Sequence, residues 1–279
     1  MVSNIRILTA GSCQEVEKVT YCNGQFKKIT FPSSVAVIEH PSEGIILFDT
    51  GYSEHFKKAT AHFPEKLYAL VTPTEIDENT TAVAQLKSQG ISVRDVRHII
   101  LSHLHADHVA GLKDFPHSKI WSDVGAFQTL KQKSRISRLR KAFLTDLIPA
   151  DFEARTQDFQ SISRSISISE LSGDWQGHDL FGDESVIAIP LPGHALGHYG
   201  LFVRSKTGKP AFFLGDAAWL TKALKENCPP LPLAGIIMDS FREYKSTLGK
   251  LSKTYNQCSN QVAFIPCHCS DAIEYFGRH

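Results

Sequence analysis

Ser102-His103-Leu104-His105-Ala106-Asp107-His108 is the stretch on which the reading of this chain turns. It follows an apolar, β-branched run at 96–101, so its side chains are presented on a loop at the end of a buried strand. In an extended segment His103 and His105 alternate, which points both imidazoles to one side, where they can hold one metal ion. Asp107 and His108 follow the bend and can address a second ion nearby. Imidazole nitrogen and carboxylate oxygen suit Zn²⁺, and also Mn, Fe or Co. A lone loop histidine is ordinarily a surface group; a cluster this dense is not.

Outward from that motif, the composition is that of a globular protein. The chain has 279 residues, 42% hydrophobic, with 30 Lys+Arg against 29 Asp+Glu. A chain of this length can bury a large core without staples, and wholesale disorder is excluded. A net charge of +1 provides no general attraction for nucleic acid or an anionic membrane. Neither is expected as a partner. The apolar runs at 35–38, 45–48, 186–189 and 212–214 fall far short of the ~20 residues of a transmembrane helix. The first ten residues lack the long apolar core of a secretory signal. Cys13, Cys22, Cys228, Cys258, Cys267 and Cys269 are sparse and read as reduced thiols of a cytoplasmic protein.

Short apolar segments bounded by turn residues predict strands at 5–9, 34–39, 44–48, 96–101, 186–190, 199–203, 211–214 and 261–265. Helical periodicity predicts helices at 78–89 and 241–255. In the second, Ser240 and Glu243 have the spacing of a capping box. Phe241, Tyr244, Leu248, Leu251 and Tyr255 share one face, which assigns Tyr244 to the core. Residues 123–185 differ, with six basic residues between Lys131 and Lys141. They read as a surface insertion of helices and loops, its charge run a solvated face. No strong linker divides the chain, so 1–279 is expected to form a single layered α/β domain.

Further motifs appear in order: Phe48-Asp49-Thr50-Gly51, Pro192-Gly193-His194, Gly215-Asp216 and Pro266-Cys267-His268. Together with the histidine motif they resemble the metallo-β-lactamase-fold hydrolases over most of the chain. The resemblance implies a four-layer αβ/βα sandwich with a site at one edge of its two sheets. It implies two divalent metal ions, zinc foremost. His103, His105 and His194 would hold the first, Asp107, His108 and His268 the second, and Asp216 would bridge them. Asp49 resembles the acid that orients a ligating histidine or the motif loop from behind. His198, four residues beyond His194, is read as another supporting residue rather than a ligand. The histidines at 40, 55, 62, 98, 117, 178 and 279 have no ligand spacing. Cys267 and Cys269 flank His268 and are expected to point away from it as small buried thiols.

The fold hosts many hydrolases, so it does not by itself name a substrate. Gly215-Asp216-Ala217-Ala218-Trp219 looks like the Gly-Asp-Ala-x-Tyr of the N-acyl-homoserine lactonases, where the Tyr contacts the substrate carbonyl. Here Trp219 has an indole N–H to donate but no hydroxyl. Asp107, Asp216 and Trp219 are therefore the expected catalytic residues. Phe143, Leu144, Leu147, Ile148 and Phe152 could line a channel for an acyl chain. The expected function is dinuclear metal-dependent hydrolysis of a small-molecule lactone or other ester. Alternatives are a thioesterase of the hydroxyacylglutathione hydrolase type, a phosphodiesterase, or a non-catalytic ligand-binding member of the fold. Phe26 and Phe31 could serve a homodimer.

Overall fold

The computed structural model describes residues 1–162 and 164–277, so His279 lies outside the described residues. Its strands are β1 (Asn4–Val16), β2 (Lys28–His40), β3 (Gly44–Phe48), β4 (Thr74–Glu75), β5 (Val96–Ile100), β6 (Lys119–Ser122), β7 (Thr156–Asp158), β8 (Ser165–Ser167), β9 (Gln176–Asp179), β10 (Val186–Pro190), β11 (Tyr199–Val203), β12 (Ala211–Gly215) and β13 (Ala263–Pro266). They form a seven-stranded sheet, β4-β1-β2-β3-β5-β6-β7, and a six-stranded sheet, β13-β12-β11-β10-β9-β8.

Side-chain alternation sorts the strands' apolar residues into two layers. Ala36, Ile38, Ile46, Phe48 and Ile100 of the first sheet meet Val186, Ala188, Leu201, Val203, Ala211 and Phe213 of the second. The residues between them point the other way. Val35, Val37, Leu47 and Ile99, with Ile187, Ile189, Phe202 and Phe212, pack in a cluster that includes Phe56, Leu86, Phe127, Leu248 and Leu251 of the helices. Both sheets are thus buried on both faces, which is why their central strands read as continuous apolar runs. The result is the expected four-layer sandwich, helices outside and sheets inside.

Strand direction gathers the functional loops. β3, β5 and β6 are parallel, as are β12 and β13. Two antiparallel pairings, β10 with β11 and β11 with β12, turn β10 the same way as β12. The loops leaving β3, β5, β10, β12 and β13 are the ones that carry the motifs.

Several details differ from the sequence reading. The helix expected at 78–89 is broken into a tight turn at Glu78–Thr80 and a helix at Ala82–Ser88, because Thr81 caps the latter by accepting from the Ala84 N–H. The 123–185 segment is not only helix and loop. It contributes β7 to the first sheet and β8 and β9 to the second, since edge strands too short to show a period still pair with a formed neighbour. Phe143, Leu144, Leu147, Ile148 and Phe152 are buried in the main core. The basic run is a solvated face, with Arg135 on Glu65 and Lys131 on Glu153. Phe26 is 87% exposed, whereas Phe31 is 4% exposed and belongs to the interior.

The expectation of uniformly reduced cysteines is corrected. Cys22 and Cys228 form a disulfide with their Cα atoms 5.8 Å apart. Cys13, Cys258, Cys267 and Cys269 are free and buried. The pair lies 206 residues apart in sequence, so only the docking of the helix Thr221–Glu226 on the loop after β1 makes it visible. Closing so long a loop restricts the unfolded chain, worth about 2–4 kcal/mol. Cys228→Ser, or a reductant, should lower Tm by roughly 3–8 °C. Thermal melts that coincide with and without reductant would refute this stabilising role.

Candidate metal centre

Seven buried side chains converge at this strand edge, none more than 9% exposed. Ligand atoms of His103, His105, His194 and Asp216 lie within 4.8 Å of one another. His194 Nε2 is 3.0 Å from His105 Nδ1 and 3.1 Å from Asp216 Oδ2. On the other side His268 Nε2 is 3.0 Å from Asp216 Oδ1 and 3.4 Å from Asp107 Oδ2. His108 Nε2 is 3.4 Å from both carboxylates. Asp216 therefore turns one oxygen to each histidine group.

Local structure explains the aim of each side chain. His105 sits at the N-terminal cap of the short helix Ala106–Val109, which puts Asp107 and His108 in its first turn. Asp49 ends β3 in the left-handed region, φ 64°, which turns its carboxylate back across the motif. That carboxylate accepts the Ser102 N–H at 2.7 Å and the Ser102 hydroxyl at 2.8 Å. It also lies 2.7 Å from His108 Nδ1. A carboxylate can only accept there, so Nδ1 carries the hydrogen and Nε2 is left for the centre. His198 Nδ1 donates to the Leu191 carbonyl at 3.0 Å, while its Nε2 accepts the Asp216 backbone N–H at 3.0 Å. Both nitrogens are engaged, so His198 supports Asp216 and does not join the cluster. Gly215, φ 52°, lets this happen, since a Cβ there would stand 2.7 Å from His198 Nε2.

The electrostatics suit a cation. Burial and the neighbouring imidazoles push His103 and His105 well below the usual histidine range, so both are neutral and able to ligate. Burial would lower His108 and His268, but the surrounding carboxylates outweigh it and push both up; as cations they in turn hold the buried Asp107 carboxyl at about 2, the place a divalent ion would take. Burial is likewise overcome at Asp216, which His268, His194 and His108 keep well below the carboxylate range. Burial takes His198 down to about 3. His103 Nε2, His108 Nε2 and Asp216 Oδ1 are buried with no hydrogen-bond partner among the described residues. Unpaired buried polar atoms are rare and costly; one of these belongs to the first histidine group, one to the second and Asp216 to both, which fits divalent metal ions there.

Three sequence expectations need correction at this site. The Trp219 indole N–H, expected to reach a substrate, donates to Asp216 Oδ2 at 3.0 Å. Cys267 does not point away: its Sγ lies within 4.8 Å of the nearest ligand atoms of His108, Asp216 and His268. Strand alternation lapses because β13 stops at Pro266. Burial pushes this thiol up to about 12, and it sits 3.3 Å from the Ser34 hydroxyl. Phe31, expected at a surface, stacks on the His268 ring at 5.0 Å and meets Trp219 edge-on at 6.2 Å. Sequence reasoning missed Ser102 as an anchor, although its place just before the histidines was a signal. The remaining described histidines stand elsewhere, His55 on Asp114 and His40 on Ser185, for example.

Comparison with known proteins adds an independent line. The chain is 29% identical over 204 residues to an N-acyl homoserine lactonase, AttM, of Rhizobium radiobacter, covering 73% of this chain and 69% of that protein. It is 27% identical to a gamma-lactamase of Fusarium pseudograminearum, over 87% of this chain and 56% of that one. Among solved structures, an N-acyl homoserine lactone hydrolase with its product N-hexanoyl-L-homoserine bound at the catalytic metal center superposes with a TM-score of 0.72 at 18% identity. That match covers 99% of this chain and 96% of that one. A dizinc quorum-quenching lactonase, AidC, gives a TM-score of 0.66 at 16% identity, over 97% of this chain and 89% of that one. At such identities the structures speak for the fold alone. The model of the Metallo-beta-lactamase superfamily matches residues 29–253, from the start of β2 into the last long helix and so across both sheets; the chain belongs to that superfamily.

Proposed function

We propose that this protein, a lactonase-like metal-dependent hydrolase, opens a lactone or cleaves a related carboxylic ester with two divalent cations, zinc foremost, with manganese, iron or cobalt as alternatives. The observation that carries the dinuclear reading is Asp216, which turns one oxygen to each of two histidine groups. When bound, such a cation pair supplies hydroxide at neutral pH and a Lewis acid for the carbonyl. His103, His105 and His194 would hold one ion, Asp107, His108 and His268 the other, with Asp216 between them.

The remaining residues act by position. Asp49 and Ser102 hold the motif loop and the His108 tautomer. His198 fixes the backbone of Asp216, and Trp219 fixes its carboxylate. Phe31 lays an apolar face over His268 and keeps bulk water from that side. The lactonase and gamma-lactamase relatives support a cyclic carbonyl substrate. The gathering of all seven polar residues argues against a non-catalytic role, which would not need them together.

The test is proton release on three substrates, with metal-loaded and chelator-treated protein. They are a long-chain acyl-homoserine lactone, an S-acylglutathione and a chromogenic phosphodiester. Chelator-sensitive turnover of the lactone is expected; turnover of only the thioester or the phosphodiester would overturn the lactone assignment. Asp216→Asn should keep the fold by circular dichroism but cut kcat on the order of 100-fold or more, as loss of a transition-state electrostatic group does. An unchanged rate would exclude a bridging role. Asp49→Asn, which keeps the size but not the acceptor charge behind His108, should weaken metal affinity by about 10–100-fold in competition with a chelating dye. Equal affinity would show that Asp49 only shapes a turn.

A further inference from the structure

The second histidine group has a member that ester hydrolysis leaves unused. One ligand atom from each of His108, Asp216, Cys267 and His268 falls within 4.8 Å of the other three. All four side chains are buried, Cys267 being 5% exposed. Two atoms of this group, His108 Nε2 and Asp216 Oδ1, have no hydrogen-bond partner among the described residues. Sulfur beside unpaired imidazole nitrogen and carboxylate oxygen is a donor set for a borderline-soft divalent cation.

Backbone geometry brings the sulfur in. β13 stops at Pro266, and the Cys267 N–H donates to the Gly215 carbonyl at 3.3 Å. That bond ties Cys267 to the residue preceding Asp216. β2 backs the same position. The Pro32 carbonyl lies 2.8 Å from His268 Nδ1, so Nδ1 carries the hydrogen and Nε2 is left toward Asp216. Two residues further along β2, the Ser34 hydroxyl donates to Cys267 Sγ at 3.3 Å. The acceptor open to the thiol hydrogen, the Ser34 carbonyl, is farther away at 3.8 Å. The sulfur is thus held from behind as an acceptor, which is how hydrogen bonds tune metal-bound sulfur. A small apolar filler would need no such donor. Cys269, on the other side of His268, differs. Its Sγ lies 3.2 Å from the Thr221 hydroxyl, and it belongs to neither group of candidate ligands among the described residues.

We propose that Cys267 is a further ligand of the second metal ion, joining Asp107, His108, His268 and the shared Asp216, and that its sulfur makes this position select zinc or cobalt over manganese. This rests on the two-cation reading above. On binding, the S–H bond breaks, the sulfur gives an electron pair to the cation, and the proton leaves to solvent. Thiolate sulfur favours zinc, whereas manganese is suited by oxygen ligands.

The test is the absorption spectrum of the apoprotein as it is titrated with cobalt(II). Uptake of two ions is expected, one of them bringing an intense near-ultraviolet sulfur-to-cobalt charge-transfer band. Cys267→Ser should lose that band, and Cys269→Ser should keep it. In competition with a chelating dye, the preference of Cys267→Ser for zinc over manganese should fall by about tenfold or more, since even an outer partner of a metal ligand is worth that much. Two ions bound by wild type with no such band overturn the proposal and leave the two-cation reading standing, as does a band that Cys267→Ser retains. Uptake of fewer than two ions by wild type overturns both. The wild-type spectrum needs no variant to fold and no ester to be turned over.

Discussion

The Asp216 carboxylate is the group around which this molecule is organised. It is buried, it carries its charge, and its Oδ1 faces His108 and His268 while its Oδ2 faces His194 and the Trp219 N–H. A buried charge is tolerated only when surrounded by partners. Here the partners come from loops leaving β5, β10 and β13 as well as from Asp216's own strand, β12. Satisfying one carboxylate thus requires both sheets to align their functional ends. The four-layer packing meets that requirement, since parallel central strands bury two faces and deliver their loops to one edge.

Backbone conformations at the strand ends are shaped by the same demand. Asp49 adopts a left-handed conformation that an aspartate tolerates better than most residues. In return its carboxylate ties together Ser102 and His108. Gly215 and Gly193 make room, one for the His198 ring under Asp216, the other for the helix that bears Tyr244. Asp49 exchanges local strain for placement of its carboxylate, while the two glycines reach their conformations without it.

An aromatic and covalent brace closes over the centre. Phe31 stacks on His268, Trp219 reaches Asp216, and Tyr244 backs Trp219. The loop leading to Phe31 and the helix following Trp219 are joined by the Cys22–Cys228 bond, by the Glu17–Lys222 ion pair, and by Tyr21 and Asn23 on Glu226. The two walls that meet over the candidate metal centre are therefore joined to each other, even though they come from opposite halves of the chain.

By itself the sequence determined the class of fold and marked the residues that gather at the candidate metal centre. The H-x-H-x-D-H spacing, Asp49, His194, Asp216 and His268 stand at strand ends that apolar runs already mark, and β3, β10 and β11 begin and end where those runs do. Such features are local, encoded in periodicity and in residue type. What only the tertiary structure decided are relations between distant segments. The Cys22–Cys228 pairing, the inward face of Phe31, the turn of Cys267 toward the histidines and the capture of the Trp219 N–H by Asp216 all depend on where one chain segment comes to rest on another. Edge strands β7 to β9 belong with them, because strands this short form by pairing with a neighbour already in place rather than by their own pattern.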